Sequence, residues 1–291
     1  IYPLPLHDAL PIYYSEAVAN YGAEITTNSI GTNTAPNGYP CDWEGDYGLT
    51  SQIIDQLVRG TAGMSDGQPL RVVWANGNER GSTRCNDPAP NIPTGYHKTA
   101  PPSCAKNHIT VGAVDGTTTA EAMSTFSSWG PSDDGRMKPD ISAPGVNTLS
   151  CGSASDTATG TKSGTSMATP TTTGCLALLL QDYKTQYPSA ALPRNSTLKT
   201  FLAHTAMDRG NAGPDNQFGY GIVPAIDLMR TSNWKEDIVA NGGTVSYLVI
   251  VPPGNTDPLK VTLAWDDFPS TPNGSGQGQG SLINDLDLVV T

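Results

Sequence analysis

From residue 14 to residue 114 the chain alternates short helix-like segments with short apolar strand-like ones, and nothing else in it limits the fold so strongly. Residues 15–21 precede 24–29, residues 51–59 precede 70–75, and 108–114 is a further strand-like run. Ile53, Ile54, Leu57 and Val58 share one face of a helix that Thr50 or Ser51 is placed to cap, and 71–75 reads as a short buried strand. Strands separated by helices pair in parallel, with the helices on the sheet faces, so the pattern predicts an α/β domain with a mostly parallel sheet. Residues 165–181 and 196–205 read as further helices, and 224–229 as a short one opened by proline.

After about Ser232 the character changes. Residues 244–251, 259–265 and 282–290 alternate in period two, with the loop 272–281 between the last two, which predicts a small all-β domain. The chain stops on the last of these runs with no turn signal after it, so this domain is expected to be truncated.

Composition narrows the function. A net charge of −11 repels phosphates and anionic lipid surfaces, so neither nucleic acid nor a membrane is an expected partner. The longest apolar runs are far too short to span a bilayer, and a soluble chain is expected. With 31 glycines and 24 prolines among 291 residues, turns are plentiful. The five cysteines (Cys41, Cys85, Cys104, Cys151, Cys175) lack zinc-site spacing. Cys175 reads as a small buried hydrophobe on a helix and the other four as loop residues, where a bridge between Cys85 and Cys104 would close one loop. Residues 1–12 (IYPLPLHDALPI) have neither the basic start nor the apolar run of a signal peptide. Residues 6–12 match the translation of a common short-read sequencing adapter, so 1–12 is set aside as an artefact and the domain is taken as 13–231, followed by 232–291.

The chemistry concentrates in residues 163–170, SGTSMATP, where Ser166 stands among small residues at the start of a helix. Unsatisfied N–H groups and the positive end of the helix dipole favour an oxyanion there. Ala168 replaces the final glycine of a G-x-S-x-G elbow, which argues against an esterase or lipase of the α/β-hydrolase type. The string closely resembles the active-site serine motif of the subtilisin-like serine peptidases, or subtilases. Three more segments resemble that family in the right order: 28–31 (NSIG), 75–79 (ANGNE) and 126–145.

The resemblance, over about residues 14–230, implies a three-layer subtilisin-like domain that is incomplete here, followed by a partial β-sandwich (jelly-roll). It implies Ser166 as nucleophile and Asn78 as the oxyanion side chain. Ser29, Ile30 and Gly31, with Ala75, Asn76 and Gly77, would form the walls of the pocket for the residue before the cleaved bond. Asp140 matches a structural position. The expected substrates are proteins or peptides, cleaved without a cofactor by a secreted, monomeric endopeptidase. The family also suggests structural calcium, for which Asp285 and Asp287 are candidate ligands, although solvated strand charges are the favoured reading of the two. In this family the triad runs Asp, His, Ser, and the Asp and His-Gly-Thr segments belong before the first pocket wall; no such histidine stands there. His97, His108 and His204 all follow Asn78. The expectation is therefore an inactive part of an endopeptidase, with a non-catalytic homologue serving as a binding or structural module as the alternative.

Overall fold

The computed structural model describes residues 6–61, 65–85, 95–230, 233–256, 258–272 and 281–291, with the backbone alone at 6–10, 35 and 66. Its centre is a four-stranded parallel sheet, β1 (Ile25–Asn28), β2 (Arg71–Ala75), β3 (Ile109–Val114) and β4 (Ile141–Pro144), in that spatial order. The registers place Thr27 opposite Val73, Val73 opposite Ile109, and Val111 opposite Ile141. Every residue of β2 and β3 is buried, as expected of parallel strands covered on both faces.

Helices α1 (Leu6–Tyr21) and α3 (Leu49–Arg59) lie on one face, and α4 (Thr165–Gln186) and α5 (Asn195–Thr205) on the other. Alternation along β2 sorts the core: Val72 and Trp74 pack with Tyr14, Ile54, Leu57 and Val58, while Val73 packs with Leu176, Leu180, Leu198 and Phe201. Two single turns, α2 (Thr34–Asn37) and α6 (Ala225–Leu228), and an antiparallel pair, β5 (Thr148–Cys151) with β6 (Thr159–Lys162), complete the elements.

Several expectations change here. The cap of α3 is Gly48, and Thr50 and Ser51 fall inside its first turn. Helix α4 runs on to Gln186 because no glycine or proline interrupts residues 175–186. Helix α1 begins at Leu6, within the segment set aside above. The disulfide joins Cys41 to Cys85, Cα atoms 5.2 Å apart, and not Cys85 to Cys104. Loop length is a weak guide to pairing because closure entropy grows only logarithmically. Cys104 is instead a buried thiol, 3.3 Å from the Thr99 carbonyl, and burial pushes its pKa up to about 12. Cys175 is half-buried against the core, and Cys151 is exposed on β5 rather than in a loop.

Among the described residues after Leu228 there is no helix or strand. A period-two run becomes a strand only when a neighbour supplies a ladder, and residues 244–251 find none; Leu248 and Ile250 are more than four-fifths exposed. Residues 266–270 and 281–284, by contrast, are bound tightly to the amino ends of the sheet strands. Lys106 Nζ meets Asp267 Oδ2 at 2.8 Å, Ser270 Oγ at 3.1 Å and the Ser281 carbonyl at 2.7 Å. Asn107 exchanges two bonds with the Asp267 backbone, each 2.8 Å. Asp267 also accepts from Ile283 N, Asn284 N and Asn284 Nδ2. On the body side, Asp55 takes the backbone N–H groups of Lys106 and Asn107 and the Tyr47 hydroxyl.

Candidate active site

Ser166 sits in the first turn of α4, where the chain enters the helix from Gly164 without a side-chain cap. Asn78, just beyond the carboxyl end of β2, fits against that turn. Its Oδ1 accepts from Thr165 N at 2.8 Å and Thr165 Oγ1 at 3.0 Å. With Oδ1 held, the amide Nδ2 is the free end of the side chain. Neither Asn78 Nδ2 nor Ser166 N donates to a protein acceptor among the described residues. Two unsatisfied donors beside a serine hydroxyl are what a developing oxyanion requires.

Pro170 shapes the same turn. It has no N–H to give the carbonyl of Ser166 four residues back, and that oxygen accepts instead from Ser29 Oγ at 2.8 Å. Ser166 Oγ in turn donates to the Ser29 carbonyl at 3.4 Å. The serine is thus tied to the end of β1, which Asn28 fixes by donating from Nδ2 to the Val73 carbonyl at 3.0 Å.

The residues predicted from the sequence come together. Ser29, Ile30, Gly31, Ala75, Asn76, Gly77, Asn78 and Ser166 all line one cleft of about 60 Å³. Gly77 has φ +112°, and a Cβ there would stand 2.8 Å from Ser128 Oγ, so a glycine is required on that wall. At Gly31 nothing lies within 4 Å of a would-be Cβ, so that wall is open. Sequence reasoning missed Lys98, Glu79 and Ser103, which also line the cleft. Lys98 lies in a loop about twenty residues past Asn78, with no pattern to single it out. Thr165 was adjacent to the motif, but its grip on Asn78 is a tertiary contact.

None of the three histidines after Asn78 hydrogen-bonds to Ser166. His97 Nδ1 is 3.3 Å from Asp133, His204 Nδ1 is 2.9 Å from Thr262 Oγ1, and His108 is fully buried with Nε2 3.1 Å from Thr110 Oγ1. His7 falls among the residues whose side chains are not described. Burial, aided by Lys138, holds the His108 pKa well below the usual value. Asp140 sits beside it, 3.0 Å from Lys138 and 3.1 Å from Lys199. Burial alone would raise its pKa, but these two cations hold the carboxyl below the usual range. Lys138 is itself brought down to about 8, chiefly by burial. Asp285 and Asp287 are exposed, and no group of three or more His, Cys, Asp or Glu side chains among the described residues could hold a metal ion, so they do not fit a calcium cage of many oxygens.

Comparison with known proteins decides the family. The model of the subtilase family matches residues 8–221. The chain belongs to the subtilase family. Among its relatives is the serine protease/ABC transporter B family protein tagD of Dictyostelium discoideum, 29% identical over 57% of this chain and 13% of that protein. C5a peptidase of Streptococcus pyogenes is 46% identical over 25% of this chain and 6% of that protein. The chain thus spans only a small part of these relatives' length. Of solved structures, the prenylagaramide maturation protease PagA superposes with a TM-score of 0.53 at 22% identity, covering 79% of this chain and 70% of that one. The self-cleaved protease domain of PatA gives 0.51 at 21%, covering 74% and 64%. Both likenesses are of fold. No helix among the described residues is long and apolar enough to cross a membrane.

Proposed function

We propose that this subtilase chain carries the nucleophile, oxyanion site and substrate cleft of a serine endopeptidase whose acid and base residues lie outside these 291 residues. The observation that carries the reading is Asn78, held by Thr165 so that its amide and the Ser166 N–H stand unsatisfied beside the Ser166 hydroxyl. An imidazole would take the Ser166 proton as Oγ attacks the peptide carbonyl. The two donors would then bind the oxyanion, and expulsion of the amine would leave an acyl-enzyme for water to hydrolyse. No cofactor enters these steps. Residues 13–231 would be the larger part of the catalytic domain and 232–291 part of a β-sandwich whose pairing partners lie elsewhere. Proteins or peptides are the substrates and the chain acts as a monomer. Export fits the Cys41–Cys85 bridge, since disulfides persist in oxidising surroundings.

Because His97, His108 and His204 are engaged with Asp133, Thr110 and Thr262 and not with Ser166, a second reading is a non-catalytic homologue that only binds peptide. Both readings give the 291-residue chain no turnover of a chromogenic peptide, because without an imidazole the serine keeps its proton. Turnover abolished by Ser166→Ala would show that a base within this chain had been overlooked. The upstream reading frame separates the two readings: an Asp and a His-Gly-Thr segment there support the enzyme, and their absence supports the binding module.

A further inference from the structure

We infer that the Cys41–Cys85 disulfide sets the spacing of the two walls of the cleft beside Ser166, so that the cleft takes a peptide well when the bridge is oxidised and poorly when it is reduced. The inference rests on the peptidase reading above and adds a redox control to it.

The two walls leave neighbouring strands. Residues 29–33 follow β1 and residues 75–79 include the end of β2, and both stretches line the cleft. Near the nucleophile each is tied to the first turn of α4, one where Ser29 Oγ donates to the Ser166 carbonyl and the other where Asn78 Oδ1 accepts from Thr165 N. Farther from Ser166 the first wall runs on through α2 to Cys41. Along that path Asn37 Nδ2 donates to the Thr32 carbonyl at 2.9 Å and Tyr39 N to the Thr34 carbonyl at 3.0 Å. The second wall runs on from Glu79, whose carbonyl accepts from Ser82 N at 2.9 Å, to Cys85. The bridge joins these two extensions, with Cα atoms 5.2 Å apart. Arg84 Nη1 adds a bond across them, to the Thr34 carbonyl at 3.0 Å.

The same bridge reaches the lining through Lys98. That residue lines the cleft and is more than nine-tenths buried, and its ammonium binds the Cys85 carbonyl and, at 3.2 Å, Glu44 Oε2. Glu44 N in turn donates to the Cys41 carbonyl at 3.0 Å. Lys98 is therefore fastened to Cys85 directly and to Cys41 through Glu44. Next to it, Thr99 Oγ1 donates to Asn76 Oδ1 on the second wall at 3.1 Å. None of Cys41, Glu44 and Cys85 lines the cleft, so the walls and Lys98 carry the effect of the bridge to it. Cys41 is partly exposed and Cys85 is buried, so the thiolate of a dithiol reductant attacks the Cys41 sulfur. A mixed disulfide forms there, and the Cys85 thiolate leaves and takes up a proton. The second thiol of the reductant then displaces Cys41 as a thiol, so two electrons and two protons pass to the chain and the reductant departs as a cyclic disulfide. Ile30, Asn33 and Asn37 are exposed, which gives the freed walls little packing to hold them, and a wall that has to be ordered as peptide binds lowers affinity. The cleft is thus preorganised only where disulfides persist.

The test uses binding, which needs no triad. Tetrapeptides with an N-terminal fluorophore and a C-terminal Ala, Leu, Lys or Glu, each mimicking the product on the acyl side of the cleaved bond, are titrated by fluorescence anisotropy against the oxidised 291-residue chain. The tightest of them is then titrated against the chain reduced with dithiothreitol and against the double variant Cys41→Ser, Cys85→Ser. At a temperature where circular dichroism shows all three forms folded, reduction and double substitution are each expected to weaken binding about tenfold, and reoxidation to restore it. A bridge that only stabilises the fold would lower the melting temperature and leave the affinity of the folded chain unchanged. That outcome overturns the inference and leaves the cleft reading standing. If neither the reduced chain nor the double variant stays folded, Arg84→Ala takes their place, since it removes an exposed bond across the extensions and keeps the bridge. A loss of about threefold is then expected, and unchanged affinity overturns the inference. Failure of every peptide to bind the oxidised chain overturns the cleft reading and this inference with it.

Discussion

At the carboxyl ends of β1 and β2 the chain leaves Asn78 and Ile30 exposed and Ser166 half-exposed, whereas at the amino ends of β2, β3 and β4 it buries Lys106, His108, Lys138 and Asp140. A surface that is to admit a peptide, as proposed above, cannot be closed by packing. Its order comes from a few directed bonds, Thr165 to Asn78 and Ser29 to Ser166. The opposite end is locked by paired charges, including the contacts that fix residues 266–270 and 281–284 to the body. On the proposed function, binding and stability fall to opposite ends of one sheet, and substitutions at the two ends should separate activity from folding.

The largest expected effect tests the open end. In the longer protein with its triad complete, Ser166→Ala should lower kcat by about 10⁶ with little change in melting temperature. Residual turnover near the wild-type rate in steady-state assays would remove Ser166 from the chemistry. Next comes the locked end, where Lys106→Met leaves Asp267 buried without its cation. Denaturant titration should show a loss of about 3–5 kcal/mol, while affinity for a cleft peptide stays unchanged in the variant that remains folded. An equal loss of peptide affinity at low denaturant would mean the two ends are coupled. At the open end again, Asn78→Leu should reduce kcat by about 10²–10³ with KM nearly constant, because the amide acts on the transition state. A change confined to KM would reassign Asn78 to ground-state binding.

The smallest effect is a pH slope. The folded pKa of His108 lies below its unfolded value, so the unfolded chain takes up the proton first as pH falls. Stability due to His108 is therefore present above about pH 6.5 and drains away below it, at up to about 1.4 kcal/mol per pH unit. Glu44 works the other way, since its pKa is raised to about 7 and stability falls as pH rises toward that value. The informative quantity is thus the difference between wild type and His108→Gln, whose stability profiles should diverge in slope below pH 6.5. Parallel profiles would show that His108 is not the buried neutral group described.

The open end was the more legible in the sequence. Ser166 and Asn78 stand in compact strings, and the segments 28–31 and 75–77 could be ordered along the chain before they were seen to meet. The parallel sheet was also readable, because buried strands such as 71–75 are short apolar runs between helical patterns. The locked end was not. Lys106, Asp267 and Ser281 are polar residues far apart in sequence, and only the folded chain brings them within 3 Å. The pairing of Cys41 with Cys85 was hidden for the same reason. Alternation in 244–251 revealed an intrinsic preference and could not reveal whether a ladder partner was at hand.

Pro170 bears on what substitutions this helix can accept. Any other residue at that position restores an amide aimed at the Ser166 carbonyl, and Ser29 then competes for an oxygen it now holds. The bond tying Ser166 to the end of β1 would weaken although no residue lining the cleft had changed. A proline four positions past the serine is therefore part of what holds that serine in place, and a lesion there would escape any search confined to the cleft.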